Sequence, residues 1–501
     1  MYITIDLGTT NLKIILWNHK GKIEKKTIFP TPISSDHTID PLKIIYYIDD
    51  FLSNLKAKYK KDIEGIAVGG VGEAGLLIDK AGNPLTPIFS WLNEKGKEEI
   101  KILENLGKKK IFYITGLKVH HKYSLSKILW LQKREKDIWV KAYKWINAID
   151  FINFYLSKNL VTDYSLASRM LLFDINKKTW SEEILELCNI SPEKLPDVKP
   201  TGSIIGEIDI SIKNKFSLNT FPVILGGHDH PIGSLIYNLK NSIFDSWGTA
   251  EAFVLHTEKP LLIETVKELG FSVGCIKDFY YLIAGIHFSG GILRWMKDNM
   301  KLKLIIEEDT PTNVLFFPFL LGKDSSKFQE NIKAIFYDID LNTQIKDLIK
   351  AVWEGIFYES RYILENIENL GILIERIYLS GGMSKFKKII NLKANILNKP
   401  IYISKEKEST SKGLALLIAE SVNMVIAKNF RDSSFNIISP TFSKIFEDNY
   451  KKNTKKLGSF WGYNQKLPNL NYFMPLRTAL IAASNLGFRD FIDFVGFAGS
   501  I

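Results

Sequence analysis

Two apolar runs, far apart in the chain, are each broken by a glycine and a threonine shortly after an aspartate. The first, Tyr2–Trp17, reads YITIDLGTTNLKIILW, and the second, Ile243–Phe253, reads IFDSWGTAEAF. An apolar run that stops at Gly-Thr and then resumes is the pattern of a β-hairpin with a tight tip. In such a tip backbone N–H groups converge on one point and the threonine hydroxyl adds a donor, which suits phosphate oxygens. Asp6 to Thr10 is loosely echoed at Asp245 to Thr249, with the glycine one place later. A chain of two related halves is therefore expected, each turning a Gly-Thr tip toward the same bound group. Thr9, Thr10, Gly248 and Thr249 form the expected cradle, with Lys13 close enough to neutralise phosphate charge.

Between the two hairpins, the apolar run Phe221–Leu225 ends at Gly226-Gly227, which releases Asp229 between His228 and His230. One carboxylate presented beside a phosphate cradle points to phosphoryl transfer to a hydroxyl, with Asp229 as general base. Asp6 and Asp229 are the expected ligands of Mg²⁺. Two histidines at i and i+2 of a strand would share a face while Asp229 faced the other way, so no zinc site is expected here.

At 501 residues the chain exceeds what one hydrophobic core usually spans, so two domains with a cleft between them are expected. The net charge of +11 comes from lysines spread along the whole length, without the basic and aromatic clusters of a nucleic-acid surface. Cys188 and Cys275 have neither metal-ligand nor framework spacing, which fits a reducing compartment. The most apolar stretches, Phe279–Met296 and Leu414–Ala427, are cut by His287, Arg294 and Glu420, and the first residues do not read as a signal peptide. A cytoplasmic protein that binds neither membrane nor nucleic acid is expected.

Two halves that each aim a Gly-Thr turn at one nucleotide resemble the actin-like ATPases. From Tyr2 to about Ala419 the chain is similar, in order, to the FGGY-type carbohydrate kinases. The resemblance implies an α/β fold of two ribonuclease H-like domains flanking a cleft. Residues 1–237 would bind sugar and carry the first phosphate hairpin, 238–425 would bind nucleotide, and 426–501 would form an extension. It implies ATP and Mg²⁺ as cofactors, a small sugar as partner and a homodimer. On the sugar side it implies Glu73, Trp91, Asn93, His121 and His230, with Asn93 standing where relatives carry Asp. On the nucleotide side it implies Gly290, Arg294, Gly381, Gly382 and Phe386 in addition to the cradle. Glycerol kinases carry Arg directly before the glutamate, whereas this chain has Gly72. A ketose such as xylulose or ribulose is accordingly the expected substrate. A glycerol or tetritol kinase is the alternative within the family, and an actin-like ATPase or a non-catalytic sugar or nucleotide sensor the alternatives outside it.

Other segments carry structural expectations. Trp145–Tyr155 reads as a buried helix with Asp150 near its middle, and Asp163–Phe173 as fold-defining rather than catalytic. Lys346–Leu370 reads as a long helix, and Glu408–Leu417 as a capped helix packed behind the adenosine pocket. Gly322-Lys323-Asp324 replaces the Gly-Glu-Arg turn of relatives. Ser439–Tyr450 matches the last family helix, and Leu457–Ile501, containing SFWGYN and FVGFAGS, has no counterpart.

Overall fold

Both Gly-Thr segments fold as hairpins at the centre of separate sheets. The strand Tyr2–Leu7 pairs antiparallel with Asn11–Trp17, and Ser242–Trp247 pairs antiparallel with Glu251–Thr257. The chain is described by a computed structural model over residues 1–460, apart from 302–310, 324, 326–328, 330 and 442. Asp324 and the segment 461–501 therefore lie outside the described residues.

The first sheet has six strands in the order Ile204–Glu207, Pro222–His228, Gly65–Gly70, Tyr2–Leu7, Asn11–Trp17, Ile23–Pro30. Tyr2–Leu7, Gly65–Gly70 and Pro222–His228 run parallel, and beyond Tyr2–Leu7 the strands Asn11–Trp17 and Ile23–Pro30 are each antiparallel to the one before. The second sheet repeats the plan in seven strands: Ser242–Trp247 runs parallel to Arg376–Ser380, and Arg376–Ser380 to Ile401–Ser404, while Glu251–Thr257 and Phe279–Ile286 form the antiparallel side. The duplication expected from the two Gly-Thr runs is thus a duplication of strand order.

Alternation along the central strands assigns their faces. Ile3, Ile5, Leu7, Leu12, Ile14 and Leu16 pack with Ile44, Ile48 and Phe51 of the helix Pro41–Ser53. Tyr2, Ile15 and Trp17 point the other way, against Leu414, Leu417 and Ile418 of the helix Ser409–Val422. The helix Asp229–Ser234 touches the second-sheet strands Ser242–Trp247 and Glu251–Thr257 within the same apolar cluster and also packs on Ser409–Val422. Gly413 is required where these two helices cross, because a Cβ there would collide with the carbonyl oxygen of Ile232.

Two expected elements differ. Lys144–Asn147 is a strand beside Gly75–Ile78, and the helix begins only at Ala148. Asp150 consequently sits in the first turn, where it forms a capping box with Asn147. Glu408 makes no side-chain cap on the helix Ser409–Val422; its carboxylate reaches Lys13 and Lys26 instead. The long helix runs over Ile345–Glu368, and the last described helix over Lys444–Phe460. The latter is held by Glu447 on Arg361 at 2.8 Å and by the Tyr450 hydroxyl on Glu365 at 2.5 Å.

Candidate active site

Asp229 owes its position to a broken strand. The strand Pro222–His228 loses register between Leu225 and Gly227, and Gly227 adopts φ 152°, a conformation open to glycine and rarely to other residues. A Cβ at Gly227 would also strike the Ser165 hydroxyl. The chain leaves the sheet at His228 and turns at once into the helix Asp229–Ser234. Asp229 is half-buried at the head of this helix, and its Oδ1 accepts the His230 N–H at 2.8 Å.

Two cavities meet at this carboxylate. The larger, of 660 Å³, is lined by both Gly-Thr turns, and every residue expected on the nucleotide side, from Thr9 and Thr10 through Lys13, Gly290 and Arg294 to Gly381, Gly382 and Phe386, lies on its wall together with Asp6. The smaller, of 140 Å³, is lined by Glu73, Trp91, His228 and His230 and by Lys122, Arg169 and His287. Thr9, Asp229, His230 and Ala250 line both. Trp91 donates its indole N–H to the Thr9 hydroxyl at 3.3 Å, tying the wall of the small cavity to the first turn.

The two turns are closed by their own backbones, Gly8 N–H to Asn11 O at 2.9 Å and Gly248 N–H to Ala250 O at 2.8 Å. The second turn is also docked on the helix Gly290–Met300, because Ser289 and Gly291 both donate N–H to Thr249 O, at 2.9 and 3.0 Å. Beneath it Lys393, fully buried, pairs with Asp245 and, at 2.9 Å, with Glu251. Ser289 and Ser360 each donate a hydroxyl to Glu251 at 2.8 Å. Asp245 is therefore a buried structural acid, whereas its sequence echo Asp6 faces the cavity.

Burial pushes the Asp6 carboxyl up to about 7; Lys13 opposes this, while Asp229 and Glu408 add to it. Carboxylates so placed call for a cation, and Asp6 with Asp229 on one cavity wall fits a divalent ion held through oxygen. Lys13 lies on the same wall, with its ammonium 2.8 Å from Glu408 and 3.9 Å from Asp6. Lys297, Lys385 and Lys407, which the sequence did not single out, add positive charge around the cavity, as a polyphosphate requires.

On the sugar side, Glu73 takes two N–H bonds from Arg169 on Oε1, at 2.8 and 2.5 Å. Burial opposes ionisation of Glu73, yet Arg169, with His228 and Lys122, holds its carboxyl down to about 2. Burial also pushes the His228 imidazole down to about 4, so it is neutral near pH 7. Through Arg169 the segment Asp163–Phe173 reaches the wall of the small cavity as the partner of Glu73, a pairing that no local pattern in the sequence marks.

Two sugar-side expectations fall elsewhere. Asn93 is buried and spends its amide on the chain, donating to Asp36 O at 2.8 Å and accepting from Lys95 N–H at 3.1 Å. The His121 carbonyl accepts from Ser126 and Lys127, each at 2.5 Å, and its ring stacks on His120 with centroids 4.3 Å apart. Neither residue lines the small cavity; Lys122, next to His121, does, with its ammonium 3.1 Å from His287 Nε2. The expectation that His228 and His230 oppose Asp229 is also overturned. The strand ends at His228 and a helical turn starts at Asp229, so the three side chains converge, with one ligand atom from each within 4.8 Å of the others.

The Glu73–Arg169 pair fixes a pH dependence. A carboxyl depressed in the folded state contributes stability above its unfolded value, near 4.5, and loses it as pH falls toward about 2. Glu73→Gln should flatten the loss of stability across that window in urea titrations at stepped pH. An unchanged slope would remove Glu73 as its source.

The comparisons agree with this geometry. Residues 1–235 match the N-terminal domain, and 245–421 the C-terminal domain, of the FGGY family of carbohydrate kinases. The chain belongs to that family, whose members are phosphotransferases that use ATP. It is a carbohydrate kinase. It is 26% identical to a xylulose kinase of Staphylococcus xylosus, over 83% of this chain and 90% of the relative. It is 25% identical to a gluconokinase of Bacillus subtilis (strain 168), over 82% of this chain and 86% of the relative. Among solved structures, the ligand-bound xylulose kinase from Lactobacillus acidophilus superposes with a TM-score of 0.83 at 21% identity, covering 92% of this chain and 99% of the other. These matches carry the actin-like two-domain α/β fold. No described helix is long and apolar enough to cross a membrane.

Proposed function

We propose that the chain transfers the γ-phosphate of ATP to a hydroxyl of a small ketose, a pentulose or hexulose such as xylulose or ribulose, with Asp229 as general base. The supporting observation is that Asp229 lines both the phosphate-facing and the hydroxyl-facing cavity. The sugar sits in the small cavity, against Trp91 and the free edge of the Glu73–Arg169 pair. The triphosphate lies across Thr9, Thr10, Gly248 and Thr249, with adenosine toward Gly381, Gly382 and Phe386. Asp6 and Asp229 would hold Mg²⁺, which would supply charge neutralisation at the phosphates. Transfer asks little covalent work of the protein, so positioning and exclusion of water between the halves carry the rate. A cytoplasmic homodimer completes the proposal; sedimentation of the purified protein tests the oligomeric part.

One observation favours a second substrate class. Lys122 and Arg169 give the small cavity two cations against Glu73, Asp229 and Glu251, and with Glu251 already paired to Lys393 the balance also suits a sugar acid once Asp229 is engaged by Mg²⁺. Coupled ADP release measured with pentuloses, hexuloses, aldonates, glycerol and tetritols decides between the classes. Turnover with no member of the panel, together with sugar-independent ATP hydrolysis, would contradict the kinase reading. Thr249→Val removes a hydroxyl donor from the cradle and should raise the KM for ATP more than that for sugar. The reverse pattern in steady-state kinetics would contradict the division of the two cavities.

A further inference from the structure

The junction between the cavities carries a donor set that phosphoryl transfer does not need. His228 Nε2 lies 3.3 Å and His230 Nε2 3.9 Å from the same oxygen, Oδ1 of Asp229. Donors bound at about 2.0–2.2 Å around a tetrahedral ion stand roughly 3.4 Å apart. The first pair already meets that spacing, and the second closes to it with a shift of about half an ångström. The rings of His228 and His230 are 5.5 Å apart and nearly perpendicular, so neither blocks the other's approach.

His228 is the informative member. It is 4% exposed, and its Nδ1 has no hydrogen-bond partner among the described residues. That unpaired nitrogen is not the one that meets Asp229, so the site stands on the spacing of Nε2 from Oδ1. Here the remaining nitrogen is turned to the Asp229 carboxylate. Among the described residues this is also the only group of three histidine, cysteine or acidic side chains that could hold an ion together. The two cysteines are buried elsewhere.

We propose that His228, Asp229 and His230 form a binding site for a divalent transition-metal ion of the imidazole-preferring, zinc-like class, with its open coordination position facing the junction of the two cavities. Two imidazoles and one carboxylate suit zinc, whereas Mg²⁺ takes oxygen donors, so the site differs in ligand chemistry from the Asp6–Asp229 pair that shares one of its residues. An ion held there with both imidazoles displaces Mg²⁺ from Asp229 and withdraws the carboxylate from the sugar hydroxyl, so it inhibits phosphoryl transfer reversibly. The inhibition rests on the proposed role of Asp229; the binding does not.

The test uses the full chain stripped of metal with a chelator. Zn²⁺ is titrated against a chromophoric indicator, and Co²⁺ is added separately as a spectroscopic probe. The expected result is one zinc per chain, weakened about tenfold or more in both His228→Gln and His230→Gln. Both variants are first checked for thermal unfolding and ATP binding. Because a variant could fail to fold, the Co²⁺ spectrum of the unaltered protein serves as an independent readout: a tetrahedral d–d band without a thiolate charge-transfer band supports the site. Absence of stoichiometric zinc binding, equal affinity in folded variants, or a thiolate band would overturn it. In ADP-release assays with excess Mg²⁺, activity should fall in step with zinc occupancy and return with chelator. Histidine-dependent binding without that loss would leave the metal site standing and overturn the inhibition, and with it the base role of Asp229.

Discussion

Asp229→Asn lowers kcat by roughly 10²–10⁴-fold, the usual contribution of a positioned general base, and leaves the KM for ATP little changed. The asymmetry follows from where the side chain sits. Asp229 is one residue on the wall of the nucleotide cavity, whose remaining contacts come from two hairpin turns and the Gly381–Gly382 corner. Among the described residues it is the only carboxylate lining both cavities. Asparagine keeps the size and can still accept the His230 N–H, so local packing survives. What it loses is the ability to take a proton from the sugar hydroxyl as the phosphoryl group arrives. Near-normal turnover in a coupled ADP-release assay would remove Asp229 from the chemistry, and a rise in the KM for ATP as large as the fall in kcat would reduce its role to holding Mg²⁺.

Lys393→Met is expected to destabilise the protein by about 3–5 kcal/mol, the range for removing one partner from a buried ion group. Lys393, Asp245 and Glu251 are all buried, and the ammonium serves both acids. Without it, two carboxylates share a dry pocket beneath the second Gly-Thr turn, with two serine hydroxyls as the remaining donors to Glu251. Burial already pushes the Asp245 carboxyl up from the usual carboxylate range with Lys393 in place. The variant should unfold at lower denaturant than the unaltered chain, and its KM for ATP should rise because Thr249 loses its footing. A denaturation midpoint equal to that of the parent would show that the triad is dispensable.

The sequence carried the parts of the molecule that depend on local pattern. Gly-Thr interruptions in apolar runs located both hairpins, and the Gly226-Gly227 stop located the turn that presents Asp229. Gly290, Gly381, Gly382 and Phe386 reach the same cavity because each ends or begins an element at the mouth of the second sheet. What stayed hidden depends on partners distant in the chain. Arg169 is 96 positions from Glu73, and Lys393 is 148 positions from Asp245. Asn93 and His121 stand in loops whose sequence matches relatives, yet a backbone carbonyl at Asp36 claims the first, and ring stacking with His120 engages the second. The helix Ser409–Val422 follows the second sheet in chain order, yet it packs on the strands Tyr2–Leu7, Gly65–Gly70 and Pro222–His228 of the first. The three-residue cluster at 228–230 was misjudged for a simple reason: strand periodicity was carried one residue past the point where the strand becomes a helix.

The decisive experiment is a crystal structure of the protein with a non-hydrolysable ATP analogue, Mg²⁺ and the sugar that gives the fastest turnover. One nucleotide should span the cleft, its phosphates contacting Thr9 or Thr10 from one half and Gly248 or Thr249 from the other, with the Asp229 carboxylate between the acceptor hydroxyl and the terminal phosphorus. A nucleotide bound to one turn alone, or a sugar seated away from Asp229, would contradict it.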